Sequence, residues 1–173
     1  VAWAQFAREY LQSRVYSSSA EVTADGEAEF HLIIVSHVLE HVENPVQLLI
    51  QLKDLLASDG SIYVDVPDIS AYTSLADLHI AHRYHFSART LLETVHKAHL
   101  CVAEIGRHSP PHHPRSIRCL LKLQCDEPRL PGADLNDEQA YSRIRAINRW
   151  SGYYHLRQRV GRLIHRLLSR GGK

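Results

Sequence analysis

The sequence predicts an α/β protein built around a mostly parallel sheet, and three observations carry that reading. Short apolar runs alternate with amphipathic segments that begin on a capping residue. Two strand-like runs follow one another between residues 101 and 123, which suits an antiparallel hairpin finishing the sheet. The hydrophobic content of 45% supports a core and excludes general disorder.

The elements follow in order. Trp3, Phe6, Ala7, Tyr10 and Leu11 recur at helical spacing and predict an amphipathic helix. Arg14 to Ser17 reads as a short strand, and Ser18 to Glu29 as a polar loop or weak helix. Leu32 to Val35 is an all-apolar run, as expected of a strand buried on both faces. Asn44 caps a helix with Pro45 at its first position, and Leu48, Leu49, Leu52, Leu55 and Leu56 form its apolar face. Ser58-Asp59-Gly60 is the expected stop, and Ile62, Val64 and Val66 form a strand that Pro67 ends. Ser87 caps a second helix whose face is Leu91, Leu92, Val95 and Ala98. Cys101 to Ile105 is a strand, and the alternation from Ile117 to Leu123 suits a half-exposed strand near a sheet edge.

The net charge of +1 conceals two unlike regions. Residues 1–140 carry 11 Lys and Arg against 19 Asp and Glu, whereas residues 141–173 carry 9 Lys and Arg and no acid. Asp126 to Asp134 holds two prolines and a glycine and reads as a linker within 126–135, dividing a body (1–125) from a basic amphipathic helix (136–173). Arg157, Arg159, Arg162, Arg166 and Arg170 make one surface of that helix basic. It suits packing on the acidic body, with docking on an anionic membrane surface or a partner protein as the alternative. Aromatic and basic residues do not interleave as in base-stacking surfaces, so no nucleic-acid partner is expected. No uninterrupted apolar stretch approaches the ~20 residues of a membrane span. The spacings of Cys101, Cys119 and Cys125 suggest neither a disulfide framework nor a zinc knuckle, so a reduced, cytoplasmic setting is expected. The chain contains no Met, and its Val-Ala-Trp start is expected to lie inside a longer product.

Chemistry points first to Ser36-His37-Val38-Leu39-Glu40-His41, which follows a strand where open α/β sheets bind ligands. These residues also spell H-x-x-E-H, the pattern of inverted zinc peptidases. That motif needs one helix face, and here it sits between a strand and the Asn44-Pro45 helix start, which disfavours zinc hydrolysis. His79, His82 and His85 recur at every third residue, but spacing alone does not make them converge, and no metal site is expected.

Phe30 to Pro45, with Leu48–Leu56, Asp59-Gly60-Ser61 and Ile62–Asp68, resembles the fourth strand, fourth helix and fifth strand of class I S-adenosylmethionine-dependent methyltransferases of the small-molecule type. His82-Arg83-Tyr84-His85-Phe86-Ser87, followed by Thr90-Leu91, is similar to their H-x-x-F-[ST]-x-x-x-L segment before the helix that precedes strand six. The resemblance covers about residues 2–125 and implies a Rossmann-like sheet with flanking helices. It implies S-adenosylmethionine as cofactor and a small-molecule, sugar or lipid-linked methyl acceptor. Carried onto this sequence, it gives Ser18, Ser19 and Ala20 near the adenine, and Ser36, His37 and Val38 along the methionine side. His37, His41 and His85 are the candidate catalytic bases, since imidazole suits proton removal at neutral pH. Asp65 and Asp68 end the next strand and either face the acceptor or serve the turn.

The family's glycine-rich cofactor loop has no counterpart, because no G-x-G occurs in the chain. The resemblance begins at the helix after strand two, so it implies a C-terminal portion lacking on the order of 60 residues of strand–helix–strand. Weak cofactor binding by this portion is then expected. The rival reading is a non-catalytic scaffold that holds a partner through the basic helix.

Overall fold

The computed structural model describes residues 2–26, 29–109 and 115–125, and the helical residues 138, 140–147 and 149. The order is α1 (Ala2–Tyr10), α2 (Ser19–Ala24), β1 (Phe30–Ser36), α3 (Pro45–Lys53), β2 (Leu56–Pro67), α4 (Ala88–Lys97), β3 (Cys101–His108) and β4 (Ser116–Lys122). The sheet order is β1-β2-β4-β3. β1 and β2 are parallel, and β4 runs antiparallel to both β2 and β3. Three strands therefore share one direction, and the reversed β4 is inserted between two of them. The expected final hairpin is present, but β4 is interior and β3 is the edge. β4 keeps its half-buried pattern because Ile117, Cys119 and Leu121 point into the core while Arg118 is exposed.

Local chemistry explains the helices. Asn44 accepts a hydrogen bond from the Gln47 amide at 3.0 Å, with Pro45 where no N–H is needed. Ser87 and Thr90 form a capping box that starts α4. Both helices cover one face of the sheet. Leu49 from α3 and Leu91, Leu92, Val95 and Ala98 from α4 meet Val35, Ile62, Val64, Val66, Ile117, Cys119 and Leu121. Each large side chain sealed there contributes about 2 kcal/mol through removal of apolar surface from water. Burial pushes the Cys119 thiol up to about 12, so it acts as a small apolar group.

Several expectations change. Arg14–Ser17 forms no strand. α3 ends at Lys53 with Asp54 as its C-cap, so Leu55 and Leu56 leave the helix and Leu56 begins β2. Ser58-Asp59-Gly60 thus lies within β2, where the pairing jumps from Phe30↔Leu56 to Leu32↔Ser61. Gly60 is required at this irregularity, because a Cβ there would stand 2.6 Å from the Phe30 carbonyl oxygen. β1 is not buried on both faces: Leu32 and Ile34 are 55% and 65% exposed. Alternation sends them away from the α3/α4 side, and among the described residues nothing covers that face.

The cysteine expectation is also overturned. Cys101 and Cys125 form a disulfide. The β3/β4 register sets Cys101 opposite Lys122, and the chain leaving β4 brings Cys125 back to a Cα–Cα distance of 5.9 Å.

The C-terminal segment is described only in part. Ala140 and Ile147 are buried against Ile69 and Tyr72, with Ile144 packed alongside. The linker, Trp150 and the arginine-rich stretch beyond it lie outside the described residues. No helix among the described residues is long and apolar enough to cross a membrane.

Candidate functional site

The site forms where β1 and β2 end and two loops meet. β1 stops at Ser36, which pairs with Asp65 of β2. His37 then turns the chain with φ at +52°, a left-handed conformation that costs a non-glycine residue on the order of 1 kcal/mol. A hydrogen bond from the His37 amide to the Asp65 carbonyl at 2.9 Å holds it there. Ser36 and Val38 are exposed on either side. Such strain at a strand end is characteristic of binding sites.

The turn drives Glu40 inward, to 1% exposure. Its backbone carbonyl accepts from the amides of Arg83 and Tyr84 at 2.7 and 3.2 Å, tying the turn to the histidine-rich loop. Tyr84 adds a hydroxyl bond to the Glu43 carbonyl at 2.9 Å. The Glu40 carboxylate has no hydrogen-bond donor on either oxygen. The nearest imidazole nitrogens are His37 Nδ1 at 3.3 Å and His41 Nε2 at 3.9 Å.

The histidines converge after all. The His82 ring stands edge-on to His41 with centroids 4.8 Å apart, and it lies 5.1 Å from His79 and 5.6 Å from His85. His41 Nδ1 lies 3.0 Å from the Ala81 carbonyl. A carbonyl only accepts, so His41 carries its proton on Nδ1 and turns Nε2 toward Glu40. Burial, helped by the neighbouring imidazoles, lowers His82 to about 4, so it is neutral at pH 7. Its Nδ1 is buried without a partner.

His85 sits just before Phe86, which bridges Asp68 beyond the end of β2. Its Nδ1 is 3.0 Å from the Tyr72 hydroxyl, and burial lowers its pKa. Burial also raises Tyr72 far above the usual phenol range, so its hydroxyl stays protonated. Ile69, His85, Ser87, Thr90, Ala140 and Ile144 line a cavity of about 150 Å³.

The two aspartates part company. Asp65 faces the site, with Oδ1 3.1 Å from His108 Nε2 and Oδ2 4.0 Å from His37 Nε2. Asp68 serves the turn: it accepts from Arg107 Nε at 2.9 Å and from the Ser70 amide at 2.9 Å. Ser18 is likewise engaged, as the N-cap of α2, and Ser19 reaches Gln51 of α3 at 3.5 Å. The H-x-x-E-H segment is a turn, so the one-face helical arrangement of a zinc peptidase does not form.

Glu40 and His82 are the residues that sequence reasoning left out of the site. Their signals were the H-x-x-E-H pattern, discounted for want of a helix, and the every-third-histidine pattern, discounted because spacing alone does not make side chains converge.

Comparison with known proteins agrees with this architecture. A family model described as a methyltransferase domain matches residues 5–119. The chain belongs to this methyltransferase-domain family. Among solved structures it is similar in fold to 1,6-didemethyltoxoflavin-N1-methyltransferase of Burkholderia thailandensis, which was crystallised with 1,6-didemethyltoxoflavin and S-adenosylhomocysteine. That match has 21% identity and a TM-score of 0.50, covering 70% of this chain and 56% of the other. This chain thus spans little more than half of that relative's length. A SAM-dependent methyltransferase from Archaeoglobus fulgidus matches at 14% identity and a TM-score of 0.45, covering 62% and 66%. No curated protein matches the chain by sequence.

Proposed function

We propose that this protein transfers a methyl group from S-adenosylmethionine to a small-molecule acceptor. The observation that carries this reading is the cavity beside His85, just beyond the carboxyl end of β2. Open α/β sheets bind ligands at that end. S-adenosylmethionine supplies an electrophilic methyl on its sulfonium when bound.

The chain's own residues fit one wall of a cofactor site. Exposed Ser36 and Val38 flank the left-handed His37 and would line the methionine side. Ser19 and Ala20 would approach the adenine, with Ser18 holding the start of α2. The acceptor occupies the cavity, where Ile69 and Ile144 exclude water and Ser87 and Thr90 offer hydroxyls. The His85 tautomer whose Nδ1–H donates to Tyr72 Oη keeps a lone pair on Nε2, and that is the tautomer this reading requires. That nitrogen would take the proton of an acceptor hydroxyl, and the bound cofactor would supply the methyl group. His37 and His41 remain the other candidate bases. His37 stands between Glu40 and Asp65, and His41 is anchored on Ala81. On this reading the basic segment 136–173 is available to an anionic membrane surface or a partner protein.

The test is methyl transfer by the intact gene product from labelled S-adenosylmethionine to a panel of small hydroxylated and amine acceptors. His85→Gln is expected to lower kcat by about 10²–10⁴ with S-adenosylhomocysteine binding unchanged. Absence of both cofactor binding and transfer in the intact product would overturn the reading and leave a non-catalytic scaffold.

A further inference from the structure

We propose that Glu40, His41 and His82 form a binding site for a divalent transition-metal ion of the zinc type. The three residues offer ligand atoms that all lie within 4.8 Å of one another. Two of them come from the turn after β1 and the third from the histidine-rich loop, so the fold gathers them from distant parts of the sequence.

The unpartnered groups point to a cation. Glu40 is sealed from water, and neither carboxylate oxygen meets a hydrogen-bond donor. A buried carboxylate in that condition is costly unless something positive joins it. His41 Nε2 faces the carboxylate at 3.9 Å, and the Ala81 carbonyl has already claimed the proton on Nδ1. In the tautomer that Ala81 selects, His41 presents its Nε2 lone pair to the carboxylate, and His37 Nδ1 stands 3.3 Å from the same oxygen. His82 adds a third ligand atom, and its ring carries a buried nitrogen without a partner. One divalent ion satisfies all three.

The outer arrangement has the form that metal sites use. A ligating histidine usually donates its other ring N–H to a carbonyl or carboxylate, which fixes its tautomer and orientation. His41 on Ala81 has that bond. Two imidazoles and one carboxylate favour zinc or its neighbours over magnesium or calcium, which prefer all-oxygen shells. Bonds of about 2.1 Å at tetrahedral angles put ligand atoms about 3.4 Å apart, so the three groups close in slightly around the ion. Three protein ligands leave a fourth position for water or a small molecule. The ligand set differs from that of the zinc-peptidase pattern, because His37 gives way to His82.

The experiment is Zn²⁺ titration of the chelator-stripped chain by calorimetry, with Glu40→Gln, His82→Ala and the distant control His31→Ala. The expected result is stoichiometric binding, weakened on the order of 100-fold in the first two variants and unchanged in the third. Absence of stoichiometric binding, or equal affinity in all variants, would overturn the proposal. The second outcome would assign the zinc to others of the 13 histidines. X-ray absorption on the unsubstituted zinc-loaded chain gives a reading that does not depend on the variants folding. A shell of only nitrogen and oxygen at about 2.0–2.1 Å is expected, and sulfur at about 2.3 Å would contradict the site.

Discussion

Asp68 and Glu40 are both buried carboxylates in the loops beyond the strand ends, 0% and 1% exposed. Arg107 and the Ser70 amide bind Asp68 at 2.9 Å each, the Ser70 hydroxyl adds a further bond, and Arg115 approaches at 3.5 Å. Those partners come from β3, from the loop before β4 and from the turn that Asp68 itself caps. Glu40 has no hydrogen-bond donor and only imidazoles nearby. The difference separates two uses of a buried charge. A carboxylate whose oxygens are all engaged joins segments of the fold. One left open by a fold that could have supplied a donor is reserved for something that binds.

The largest expected effect falls on the engaged residue. Asp68→Asn removes the buried carboxylate that pairs with half-buried Arg107 and should destabilise the chain by about 3–5 kcal/mol in urea unfolding. A loss of under about 1 kcal/mol would show that Asp68 does not hold the turn. Arg115→Ala should cost far less, at most about 1 kcal/mol, because its side chain is 42% exposed and its contact is long. Equal losses from the two substitutions would mean that the aspartate depends on the more exposed arginine as much as on Arg107.

The sequence made the scaffold legible because its signals are local. Asn44-Pro45 and Ser87 with Thr90 mark helix starts within four residues, and the apolar runs mark strands. It also placed His37, His41 and His85 near strand or helix ends, and they lie just after β1, before α3 and before α4. The failures involve distant partners. Asp68 meets arginines 39 and 47 residues away, and Cys101 meets Cys125 across 24 residues. His41 meets the loop carrying His82 at a separation of 40, so no spacing rule could bring them together. Glutamate is seldom fully buried, and the left-handed turn at His37 is what carries Glu40 inside. The exposure of Leu32 and Ile34 was hidden for a related reason, since an apolar run shows what could be buried and not what covers it.

The most direct test of the contrast is the stability of Glu40→Gln in chelator, set beside Asp68→Asn under the same conditions. Removing a buried carboxylate that no hydrogen bond holds should leave the chain unchanged or about 1 kcal/mol more stable. A loss of several kcal/mol, matching that of Asp68→Asn, would contradict the account and make Glu40 a structural residue like its counterpart.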